Sequence, residues 1–115
     1  MNDCAGEALR EIHGQHLADE VRHARIGWAH VATLTREERD VIAAWLPELL
    51  RVQLHAWESR IGELPEHGVP GHGYPPRAAL IATVRAAVRE VVLPGFDYVA
   101  IDTAAARAWF TNHAV

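Results

Sequence analysis

Residues His16 to His23 read HLADEVRH. At 100° per residue, His16, Glu20 and His23 fall within roughly 60° of one another on a helix, and His13, Gly27 and His30 continue the same stripe. Imidazole nitrogen and carboxylate oxygen suit iron, zinc and related ions, and Glu-x-x-His is the spacing by which one helix of a four-helix bundle contributes to a dinuclear carboxylate site. The stretch therefore predicts a helix that carries metal ligands. Such a site also needs a second Glu-x-x-His and a Glu from each of two further helices. Glu20-x-x-His23 is the single example of the motif in this sequence.

Working outward, the apolar positions Leu9, Ile12, Leu17, Val21, Ala24, Ile26, Trp28 and Val31 keep mostly helical spacing. They predict one helix from about Ala5 to Leu34, of roughly 28 residues and ~42 Å. Gly14 and Gly27 weaken it by up to ~1 kcal/mol each relative to alanine, and Gly27 on the histidine stripe leaves room beside a metal. Thr35 followed by Glu38 has the form of a capping box, so a second helix starts at Arg36 and runs to near Arg60, with the two helices expected as antiparallel neighbours. Pro47 lies inside it and predicts a kink near Leu46.

Residues 62–76, GELPEHGVPGHGYPP, hold four glycines and four prolines and predict a long loop. A third helix is expected from Arg77 to about Leu93, ended by Leu93-Pro94-Gly95-Phe96. A short last helix, Ala104 to about Asn112, is capped by Asp102 or Thr103 and anchored by Trp109 and Phe110. The fold class is all-α: a single domain over 1–115, an antiparallel helical bundle of about four helices with a long Gly/Pro-rich loop.

Composition narrows the function. The net charge is −4, with basic residues scattered among acidic ones, so no nucleic-acid partner is expected. No apolar run approaches the ~20 residues that span a bilayer and the N-terminal run is no secretory signal, so no membrane partner is expected and the compartment is read as cytoplasmic. Cys4, the one cysteine, is read as incidental. A Glu and a His three apart on a helix is by itself an ordinary surface pair, and His55 with Glu58 on the second helix is read as one. His16 on the same arc is what sets the first helix apart. A zinc hydrolase is a weaker reading, because the spacing is not His-Glu-x-x-His and no general base is evident beside the site.

The run HLADEVRHARIGW, His16 to Trp28, resembles the last ligand-bearing helix of ferritin-like diiron oxygenases, in particular the p-aminobenzoate N-oxygenase group. In that group the helix supplies a His, a Glu four residues on and a His three further, which His16, Glu20 and His23 match. The tail VVLPGFDYVAIDTAAARAWF, Val91 to Phe110, looks like the segment that follows the bundle in related proteins. The resemblance implies a partial ferritin-like bundle corresponding to the C-terminal half of a diiron domain, with His16, Glu20 and His23 as iron ligands. Asp19 would orient an imidazole on a facing helix and Arg22 would neutralise carboxylate charge. It also implies two iron ions where the site is complete, with manganese or zinc as alternatives, and oxygen transfer to a small substrate such as an aromatic amine.

The family's other ligands come from helices N-terminal to this one, and only fifteen residues precede His16 in this sequence. The expected partner is therefore a complementary N-terminal half or a second copy, since two copies would bring six donors to one interface. The alternative is a non-catalytic helical interaction or dimerisation domain that has lost the metal site.

Overall fold

The computed structural model describes residues 6–113 and is all-α, with no strand among the described residues. The helices are α1 (Glu7–Ala32), α2 (Arg36–Gly62), α3 (Arg77–Ala87), α4 (Leu93–Tyr98) and α5 (Ala104–His113), and a π-helical turn (Val88–Val92) joins α3 to α4 without a break. Four rods result, as the periodicity predicts. Cys4 and Ala5 lie outside the described residues.

The capping box forms as the spacing requires. The Glu38 backbone N–H donates to Thr35 Oγ1 at 3.2 Å, and the Thr35 N–H donates to Glu38 Oε1 at 3.0 Å. α2 then runs through Pro47 without restarting, and the buried Leu46, Leu50 and Leu54 keep one register across it.

The expected end of the third helix is corrected. Pro94 does not stop the rod, which continues to Tyr98. A proline ring clashes with the carbonyl four residues back and offers no N–H. Here that carbonyl belongs to Glu90, inside the widened π turn, where the Leu93 N–H reaches back to Val88 O. Inserting the extra residue re-aims the turn, and Pro94 becomes a first-turn proline of α4, where it is tolerated.

The end of α4 is a Schellman motif. The Ile101 N–H donates to Phe96 O and the Ala100 N–H to Asp97 O, both at 3.0 Å, with Ala100 left-handed at φ 63°.

The core is one cluster drawn from α2 (Leu46, Leu50, Leu54), the π turn and α4 (Val88, Leu93), the connector (Ile101) and α5 (Ala106, Phe110). Two polar ties hold its edges. Arg85 on α3 donates Nε and Nη2 to Glu58 Oε1 on α2, at 3.1 and 2.9 Å. The buried Thr103 hydroxyl donates to Asp97 Oδ1 at 2.6 Å and accepts from Arg107 Nε at 2.9 Å, and Arg107 also reaches Asp97 Oδ2.

Loop 62–76 is folded on itself. The Val69 N–H donates to Tyr74 O at 2.8 Å, Arg77 donates from Nε to Leu64 O and from its backbone N–H to Glu66 O, and Gly68 turns at φ 72° where a Cβ would strike the Tyr74 carbonyl.

α1 departs from the expectation of a helix packed along its neighbour. It has no buried residue, and each residue from Gly14 to Gly27 is exposed. It meets the body through its last turns, where Val31 packs on the core and Trp28 sits edge-on to Phe96, centroids 5.0 Å apart. The molecule is accordingly elongated, 49 × 30 × 18 Å, with a radius of gyration of 16.5 Å against about 13 Å for a compact chain of this length.

Candidate metal-ligand arc on α1

His16, Glu20 and His23 lie on one arc of α1, as their spacing dictates. His16 Nε2 stands 3.9 Å and His23 Nδ1 4.0 Å from the same oxygen, Glu20 Oε1. Donors sharing one ion at ~2.1 Å sit about 3.0–3.5 Å apart, so the two imidazoles are within about half an ångström of that separation from the carboxylate. They are nevertheless open to water, the side chains of His16, Glu20 and His23 being 76%, 59% and 70% exposed. Among the described residues no three His, Cys, Asp or Glu side chains are arranged to hold an ion.

A dinuclear carboxylate centre requires more carboxylates than this arc carries. The arc by itself therefore does not supply one. Asp19 and Arg22 pair with each other, Arg22 Nη1 donating to Asp19 Oδ1 at 3.1 Å, both largely exposed. His55 and Glu58 line a pocket of about 180 Å³ with Arg51, Trp109 and His113. Glu58 is already engaged by Arg85, and the His113 ring is stacked on Trp109 at 5.2 Å.

The apolar pocket of about 470 Å³ at the root of α1 is lined by Trp28, Ala32, Val91, Gly95, Tyr98 and Val99, with no ligand of the arc. No sequence signal marks it, because it is made where α1 crosses α4. The Asp97–Thr103–Arg107 cluster is likewise invisible to helical periodicity, since its members flank a turn. Its hydrogen bonds from Thr103, then from Arg107, hold the Asp97 carboxyl below the usual range.

Among the described residues no helix is long and apolar enough to cross a membrane. No protein-family model, curated protein or solved structure matches the chain.

Proposed function

We propose that this chain is a helical association module, one part of an assembly in which another polypeptide covers α1. One observation carries the reading: fourteen consecutive residues of α1, Gly14 to Gly27, have no cover. Helices in proteins owe most of their stability to packing of an amphipathic face, which this stretch lacks, and two glycines weaken it further. Its intrahelical pairs, such as Asp19–Arg22, add only ~0.2–0.5 kcal/mol each. The surface agrees. The chain exposes 8176 Å², where a compact monomer of 12.7 kDa exposes about 6,200 Å².

The reading predicts that helicity at α1 rises with association, so far-UV circular dichroism of the chain should gain helical signal with concentration or on adding its partner. A helical signal independent of both would overturn it.

A second reading is favoured by the convergence of two imidazoles on one carboxylate. Here α1 is covered by another ligand-bearing helix, from a second copy or a complementary chain, and His16, Glu20 and His23 become part of a diiron-type site that acts on a small substrate. The resemblance to ferritin-like oxygenases supplies the iron and the oxygen-transfer chemistry of that reading. Anaerobic ferrous loading tests it: about one iron or less per chain is expected, lost in both His16→Ala and His23→Ala. Background metal in the wild-type chain would end it.

A further inference from the structure

Resting on the association reading, we infer that the missing cover is a second copy of this chain, each copy laying the Leu17–Val21 face of its α1 along the outer face of the other's α2. That outer face is built from Val41, Trp45, Leu49 and Val52, spaced i, i+4, i+8, i+11. It lies on a different side of α2 from the core positions Leu46, Leu50 and Leu54, and all four residues are exposed, Trp45 at 61%. A helix that is apolar on two sides is one that is covered on two sides. Leu49 also borders, toward the core side of α2, an apolar groove of about 210 Å³ against the π turn that is lined by Leu46, Leu50, Leu54, Trp57, Val92 and Phe96. A leucine or valine from an incoming helix would fill it.

The areas select this pairing over the two homotypic ones. On α1, the side of Leu17 and Val21 continues toward the N-terminus only through Gly14 and Arg10 and toward the C-terminus through Ala24 to Trp28, which is seated on Phe96, while the exposed Ile12 and Ile26 lie on the opposite side. Two α1 helices facing each other would bury little. The α2 stripe is larger yet still short of what a stable contact needs. Added to Leu17 and Val21, 54% and 44% exposed, it gives each copy six large apolar side chains for the contact. A standard interface buries ~800 Å² per partner, and homodimer interfaces are ~65% apolar.

A two-fold axis then makes the α1-to-α2 contact twice, with no open end for further copies. The surface in excess of a compact monomer is also of the size an obligate dimer covers. Of the charges beside the α2 stripe, Glu48 already accepts from Arg51 at 2.8 and 2.6 Å. On a helical wheel the His16–Glu20–His23 arc falls roughly a third of a turn from Leu17 and Val21, beside this contact.

Sedimentation equilibrium of the full chain tests the pairing, with wild type, L17E/V21E, W45E/L49E and an equimolar mixture of the two variants. The wild type should be a dimer without added metal. Each variant alone should dissociate at least ~30-fold more readily, as loss of a central anchor does. The mixture should recover dimers, because a mixed pair keeps one contact made only of unaltered faces. W45A/L49A, which adds no charge, serves where the glutamates prevent folding and should weaken the dimer by ~10-fold or more.

A wild-type dimer indifferent to W45E/L49E, indifferent to L17E/V21E, or not recovered on mixing overturns this pairing and leaves the association reading standing. A wild-type monomer with α1 unprotected from hydrogen exchange overturns the second copy as the cover. A monomer with α1 firmly helical overturns both.

Discussion

Replacing Gly95 by alanine should change sign with the state of a single aromatic ring. A Cβ built on Gly95 lies 2.6 and 2.7 Å from Cζ2 and Cη2 of Trp28, well inside the ~3.5–4.0 Å at which carbon atoms rest. The ring has to move by about an ångström, and overpacking of that kind typically costs about 1–3 kcal/mol. Against it stands the gain of alanine over glycine inside α4, about 0.5–1 kcal/mol. G95A should therefore destabilise the wild-type chain by about 0.5–2 kcal/mol.

In a W28A background the obstacle is gone and the same substitution should stabilise by about 0.5–1 kcal/mol. The coupling between the two sites is then about 1–3 kcal/mol, the range of residues in direct contact. Urea denaturation of the four proteins in the cycle, followed by circular dichroism at one concentration, measures it. Additivity within about 0.5 kcal/mol would refute the seating of α1 on α4 at this point, and with it the claim that α1 leaves the body from a fixed root.

Ala100 pays the usual cost of a left-handed residue with a Cβ, so Ala100→Gly should raise stability by about 1 kcal/mol, seen as a higher thermal midpoint. Asp97 has its carboxyl held below the unfolded value of ~3.9, so its contribution is present above that pH and is lost as pH falls through the folded pKa. The urea midpoints of wild type and Asp97→Asn should differ at pH 7 and draw together as the pH falls below the unfolded value. Thr35→Ala removes the hydroxyl half of the capping box and should cost about 1 kcal/mol in the same denaturation assay. Glu38 is also held low, by the Thr35 backbone N–H and then its hydroxyl, so the Thr35→Ala effect should shrink in acid as that carboxyl protonates.

The elements themselves were legible because their signals are local. Thr35 and Glu38 announce a helix start three residues apart, and the Leu46, Leu50, Leu54 register survives an internal proline because packing on the core outweighs one lost hydrogen bond. Pro94 misleads for a related reason. A proline is a stop signal only for regular α geometry, and five residues of π turn upstream convert it into a start. What periodicity cannot reveal is what an element packs against. The stripe on α1 has the same spacing whether a body, a partner or water lies opposite, and here water does from Gly14 to Gly27. The arc of His16, Glu20 and His23 is likewise where the helical wheel puts it. Its spacing says nothing of enclosure, and all three side chains are open to water. The ties that hold the folded half together, Glu58 to Arg85 and Asp97 to Thr103 and Arg107, join residues from different rods or across a turn and leave no periodic trace.

The central claim is that α1 depends on another polypeptide for its cover. Hydrogen exchange of the amides from Gly14 to Gly27, followed across a wide range of chain concentration, tests it most directly. The account predicts exchange close to that of an unfolded peptide in dilute solution and marked slowing once the chains associate, while the amides of Leu50 and Leu54 stay protected throughout. Strong protection of the α1 amides in the dilute monomer, equal to that of the α2 core, would contradict it.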